Sequence, residues 1–149
     1  MIVFLGCDHA GFALKEKLKA VLFTRGVLVK DLFPILVAGD DYPDVARAVC
    51  LKTLAVKGAR GVLACGSGIG MCIAANKVKG VRAAVLYSDA AAVASRKDNA
   101  ANVACFGGRT MTARDATRRL ALWLSTPFTG EARHKRRLAK ITALEKARG

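Results

Sequence analysis

Cys65 stands directly before Gly66-Ser67-Gly68-Ile69-Gly70, at the end of the apolar run Gly61–Ala64. A thiol between a buried strand and a glycine turn that opens a helix meets unpaired backbone N–H groups and the positive end of the helix dipole. Both favour the thiolate. Without Cβ atoms, the glycine backbone can approach a ligand closely and aim several N–H groups at a developing negative oxygen. Gly66-x-Gly68-x-Gly70 is not the dinucleotide fingerprint, whose third glycine falls one residue later, and it lacks the Gly-Lys-Ser/Thr ending of a P-loop. The plainer readings are an inert buried thiol and an ordinary tight turn. The inert reading suits Cys50 and Cys105, whereas the glycine context favours a reactive Cys65.

Three further groups could do chemistry. Asp8-His9 follows the first apolar run, although an aspartate there also serves as a plain turn residue. Gly107-Gly108-Arg109 follows the last such run, with Asp98-Asn99 just ahead of it. Arg133 and Arg137 are four apart, so a helix projects both from one face as forked donors. A phosphate clamp and a solvated basic face fit that spacing equally.

The five cysteines, Cys7, Cys50, Cys65, Cys72 and Cys105, form no CxxC pair, and the only histidines are His9 and His134. No zinc knuckle is expected, so the metal expectation is none. Free thiols within apolar runs, and a start too short in apolar residues for a signal peptide, point to the cytoplasm. No apolar run approaches the ~20 residues of a membrane span.

The 149 residues suit one domain, expected to cover 1–149, and 53% of them are apolar, which argues against disorder. With 25 Lys+Arg against 11 Asp+Glu, the net charge is +14. From 131 to 149 there are seven Lys or Arg against two Glu, but the other cations are scattered over helical faces. No aromatics interleave with them as a single-strand platform requires, so a nucleic-acid partner is not favoured.

The elements alternate. Strands are expected at Ile2–Leu5, Val27–Leu32, Gly61–Ala64, Val81–Leu86 and Asn102–Phe106, the first of them a continuous apolar run of the kind buried on both faces. Between them lie helices over Phe12–Arg25, Asp44–Lys57, from the Cys65–Gly70 turn through about Lys77 and Asp89–Lys97, then one from the Thr112 cap to Trp123 and a last over Arg133–Lys146. On the first helix Leu14, Leu18, Val21 and Leu22 face inward, with Lys15, Lys17 and Lys19 on the solvated side. Residues Phe33–Pro43 read as a loop. Such alternation implies an α/β, three-layer, doubly wound Rossmann-like fold with a five-stranded parallel sheet, whose ligands bind beyond the carboxyl ends of the strands.

Together the motifs resemble one family. Gly6-Cys7-Asp8-His9-Ala10-Gly11-Phe12, Asp41-Tyr42-Pro43, Cys65-Gly66-Ser67-Gly68-Ile69-Gly70-Met71 with Ala74-Ala75-Asn76-Lys77, Asn99-x-x-Asn102, Gly107-Gly108-Arg109 and Arg133-His134-x-x-Arg137 run nearly end to end. The chain resembles the type B ribose-5-phosphate isomerases and their relatives, the galactose-6-phosphate isomerase subunits. The resemblance implies an aldose–ketose isomerase with no cofactor, in which Cys65 moves a proton between C2 and C1 of an open-chain sugar phosphate through a cis-enediolate. It implies that backbone amides from Gly66 to Gly70, those of Gly68 and Ile69 included, hold the enediolate oxygens, with Ser67 adding a hydroxyl. Asp8, His9 and Asn99 would bind sugar hydroxyls, while Arg109, Arg133 and Arg137 grip the phosphate. It also implies a homodimer, single or paired into a tetramer, with the basic 131–149 helix reaching the partner's cysteine pocket.

Some relatives use a Glu one turn into the helix as base, but Met71 stands there. Many carry a ring-opening His directly before the Asn that matches Asn99, and this chain has Asp98. A carboxyl group, with an ordinary pKa of ~3.9, is ionised at neutral pH and so a poor acid unless burial raises that value. Asp98 therefore enters as a candidate catalytic residue beside two alternatives. These are the same chemistry on allose or galactose 6-phosphate, and a polyanion-binding homologue without turnover.

Overall fold

The computed structural model describes residues 1–146; the last three residues of the expected basic helix lie outside the described residues. The chain runs β1 (Ile2–Cys7), α1 (Phe12–Thr24), β2 (Leu28–Asp31), α2 (Tyr42–Ala55), β3 (Arg60–Cys65), α3 (Ile69–Ala75), β4 (Ala83–Val85), α4 (Asp89–Lys97), β5 (Val103–Gly107), α5 (Ala113–Ser125) and α6 (Ala132–Lys146). All five strands are parallel, in the order β2-β1-β3-β5-β4.

Two apolar cores sandwich that sheet, one on each face. Leu14, Leu18, Leu22, Ala92, Ala116, Leu120 and Trp123, from α1, α4 and α5, cover Val3, Leu5, Val62, Ala104 and Phe106. On the other face Val45, Val49, Cys50, Met71 and Ala75, from α2 and α3, cover Phe4, Leu63, Val103 and Cys105. Alternate residues of β1, β3 and β5 enter opposite cores, which is why those strands read as nearly unbroken apolar runs, whereas the edge strand β2 carries Lys30 and Asp31 and is half-exposed. None of the described helices is long and apolar enough to cross a membrane.

The structure corrects several expectations. Helix α2 begins at Tyr42, with Pro43 in its first turn, where proline is tolerated because that N–H has no helical partner. Strand β4 shortens to Ala83–Val85. Asn76 lies at its free edge, accepting from the Ala83 N–H at 2.8 Å and donating to the Ala83 carbonyl at 3.0 Å. The carboxamide thus substitutes for a neighbouring strand. Asn102 binds in like manner to the Arg82 N–H and the Gly80 carbonyl.

Lys15 is not solvated. It is fully buried, with Nζ 2.7 Å from Asp31 Oδ2 and donating to the Phe33 carbonyl at 2.7 Å. Burial alone would raise the Asp31 carboxyl, but hydrogen bonds from Lys15 and Lys19 outweigh it and hold the group below its ordinary 3.8. The unfolded chain therefore binds the proton more readily, so this contribution is complete above that value and is lost as pH falls through the lower folded one. In urea denaturation at pH 7, Asp31→Asn should cost about 3 kcal/mol, because Lys15 loses its main counter-charge inside the fold. The variant should also show a flatter loss of stability below about pH 4 than the parent.

Candidate active site

Sheet order sets the site. From β1 the chain moves one way to β2, then returns past β1 to β3, and such reversals open a crevice at the carboxyl ends of the two strands. The register then aligns the segments that leave those ends. Cys7 lies opposite Ala64, and Cys65 opposite Gly107. Backbone bonds extend the alignment past the sheet: the Asp8 N–H donates to the Ala64 carbonyl, the Gly108 N–H to Cys65 at 2.7 Å, and the Arg109 N–H to Gly66 at 2.9 Å. Three segments far apart in sequence thus meet around one sulfur.

A cleft of about 440 Å³ results, lined by Asp8, His9, Ala10, Tyr42, Cys65, Gly66, Ser67, Gly70, Arg109 and Thr110. Cys65 is 4% exposed at its floor. The Gly68 N–H points at Cys65 Sγ from 3.1 Å, the arrangement a thiolate accepts. Gly68 has φ +81, which only glycine adopts at little cost, so the chain can turn there from the sulfur into α3. At Gly70 the constraint is steric, since a Cβ would stand 2.8 Å from Tyr42 Cζ. At Gly66 the Arg109 side chain lies 3.6 Å from where a Cβ would be, so the guanidinium stem covers the start of the loop.

In the first turn of α3 the Ile69 N–H is taken by Ser67 Oγ at 3.2 Å. The next amide belongs to Gly70, which lines the cleft and, as a first-turn residue, has no acceptor within its helix. Asp8 is buried and its Oδ1 accepts from the Gly11 N–H at 2.9 Å, so one carboxylate oxygen closes the turn into α1. His9 is held twice by Asp40 Oδ1, through its backbone N–H at 2.8 Å and Nδ1 at 3.0 Å. A carboxylate can only accept, so Nδ1 carries the proton and Nε2 is left for a ligand.

Cys65 stands apart from the other thiols. Burial pushes Cys7 and Cys50 up to about 12, which makes them inert at neutral pH. The neighbouring Cys72 and burial raise Cys105 well above its ordinary value, while Cys105 lowers Cys72. None of these four lines the cleft.

Of the residues singled out from sequence, Asp8, His9, Cys65, Gly66, Ser67, Gly70 and Arg109 come together, with Gly68 buried behind the sulfur and Ile69 exposed beside the opening. Sequence reasoning gave no role to Asp40, Tyr42 or Thr110. The Asp-Tyr-Pro motif marked the second, but only the tertiary fold shows it standing over Gly70.

Asp98, Asn99, Arg133 and Arg137 do not join this cleft within one chain. Asp98 caps the end of α4, and Asn99 lines a separate groove of about 630 Å³ beside α6, with Arg82, Ile141 and Leu144. This region lies at the amino end of β5, and five strand residues separate it from the Cys65 end. At ~3.3 Å per residue that is about 13 Å or more. On α6 both arginines are exposed, Arg133 held by Glu131 at 2.9 Å, and only His134 is buried. Among the described residues no group of three or more His, Cys, Asp or Glu side chains is placed to hold a metal ion.

A family model described as Ribose/Galactose Isomerase matches residues 3–141. The ribose-5-phosphate isomerase B of Escherichia coli strain K12 is 39% identical over 146 residues, spanning 98% of this chain and 97% of that one. A Clostridium thermocellum ribose-5-phosphate isomerase B structure superposes with TM-score 0.94 at 36% identity, covering 100% of both chains. The Mycoplasma genitalium enzyme, solved with bound ribulose-5-phosphate, gives TM-score 0.92 at 39% identity over 97% of this chain and 96% of that one.

Proposed function

We propose that this chain, which belongs to the ribose/galactose isomerase family, interconverts ribose 5-phosphate and ribulose 5-phosphate. The observation that carries this is a near-buried sulfur with an N–H donor aimed at it, on the floor of a cleft that also presents His9 and Arg109. Cys65 takes the C2 proton of the open-chain aldose and returns it to C1. The charge that develops on O1 and O2 in the cis-enediolate is met by the amides of the Gly66–Gly70 loop and the Ser67 hydroxyl. Fixed dipoles placed ahead of the reaction need no reorganisation when charge appears. Asp8 and His9 bind sugar hydroxyls, and Arg109 takes part of the phosphate.

A second half of the site comes from another copy of the chain. Asp98 and Asn99 lie at the opposite end of the sheet from Cys65, with Arg133 and Arg137 exposed on α6, so a two-fold axis that lays one protomer's amino end over the other's cleft would complete two equal sites. Ile141 and Leu144 on α6, and Ile69 and Ile73 on α3, are all exposed in the single chain and suit such burial. Five unpaired thiols support a cytoplasmic setting.

The test is a panel of pentose 5-phosphates with allose and galactose 6-phosphate, assayed with a chelator present. The highest kcat/KM is expected on ribose 5-phosphate. Preference for a 6-phosphorylated hexose would keep the chemistry and change the substrate, a reading that Asp98 alone favours. No isomerisation of any sugar phosphate would refute both.

A further inference from the structure

His134 is the one buried side chain of α6, at 5% exposure on an otherwise solvated basic helix. Its Nε2 is buried without a hydrogen-bond partner. The polar atoms that face it are carboxylate oxygens, Asp98 Oδ1 at 3.4 Å and Glu131 Oε2 at 3.9 Å. Glu131 is already engaged by Arg133 Nε at 2.9 Å, so Asp98 is the acid the ring answers to. Asp98 is half-exposed and directly precedes Asn99. The carboxylate therefore has one side against a buried imidazole and the other open to a ligand.

We propose that Asp98 and His134 form a pair that opens the sugar ring before isomerisation, Asp98 touching the sugar and His134 acting behind it as a positioning residue. The inference rests on the isomerase reading above and on Asp98 facing the partner's cleft. In the furanose form of ribose 5-phosphate the C1–O4 bond must break, a proton must leave the C1 hydroxyl, and one must reach O4. The Asp98 carboxylate accepts the O1 proton, the O1–H pair becomes the C1=O bond, and the C1–O4 pair goes to O4. The proton is held between Asp98 and Nε2 until O4 takes it, so the pair ends as it began.

Ribulose 5-phosphate separates this step from the proton transfer at carbon. Its carbonyl is at C2, its C5 oxygen is esterified, and its C3 and C4 hydroxyls are too near the carbonyl to form a five- or six-membered ring. It is therefore always open-chain, and exchange of its C1 hydrogen with solvent needs Cys65 but no ring opening. In His134→Asn, kcat/KM on ribose 5-phosphate should fall about tenfold to hundredfold, while C1 exchange in ribulose 5-phosphate stays within about twofold of the parent. The variant's rate on ribose 5-phosphate should also stop rising with enzyme concentration, because spontaneous ring opening becomes limiting. Asp98→Asn, at a half-exposed position outside both cores, should show the same split and decides the matter if His134→Asn does not fold. Equal losses on both substrates, or no loss on ribose 5-phosphate, would overturn the pair. A parent protein inactive on ribose 5-phosphate would instead overturn the isomerase reading, so the two failures are distinct.

Discussion

Cys65→Ala should remove solvent exchange at C2 of ribose 5-phosphate and at C1 of ribulose 5-phosphate together, lowering turnover about 10³-fold or more. The size of the effect reflects the lack of a substitute. Met71, one turn into α3, carries no proton-accepting group, and burial holds the Cys7 and Cys50 thiols near 12. Asp8 is buried with one oxygen committed to the Gly11 N–H. His9 is tied through Nδ1 to Asp40 and is exposed at the rim. Removing one sulfur from the floor should leave the phosphate contacts in place, so binding of the substrate should survive while exchange disappears. Deuterium incorporation followed by NMR, beside a binding isotherm, reads both. Undiminished exchange in the variant would sink the assignment of the base.

That sulfur is legible in the sequence because local pattern determines it. An apolar run broken by alternating glycines places a residue at a strand end before a helix, wherever the strand lies in the sheet. The strand order β2-β1-β3-β5-β4 is not legible, and with it goes the pairing of Cys65 with Gly107 that delivers Arg109. Helical period puts Lys15 on the solvated face because it treats every lysine alike. Its partners, Asp31 and the Phe33 carbonyl, sit on and just beyond a strand that no periodicity couples to α1. Asn76 and Asn102 stand in motifs that carry the family resemblance, and both carboxamides are spent on backbone groups of the short β4 edge and the segment leading into it. Conversely, Asp40 meets His9, and Tyr42 at the start of α2 meets Gly70, only once the chain beyond the 33–41 loop has returned to the cleft. The plain limit is that side-chain-to-backbone bonds across a sheet depend on register, and register is a tertiary property.

The Asp98 region raises the same point between subunits, and there the expected effect is again large. Arg137→Ala should lower kcat/KM about 10²-fold, since a guanidinium that meets a phosphate away from water is hard to replace. Alone that result is silent about which chain supplies the arginine. Mixing it with Cys65→Ala is not. If each site takes its sulfur from one protomer and its α6 arginine from the other, reassembling the two inactive proteins at equal ratio makes about half the dimers mixed. Each mixed dimer holds one intact site and one doubly damaged site, so about a quarter of parental activity returns. If every site lay within a single chain, no combination of these two variants could contain an intact one, and the mixture would stay at the level of its parts. The geometry favours recovery: Cys65 ends β3 at one end of the sheet, whereas α6 lies at the other, with His134 3.4 Å from Asp98.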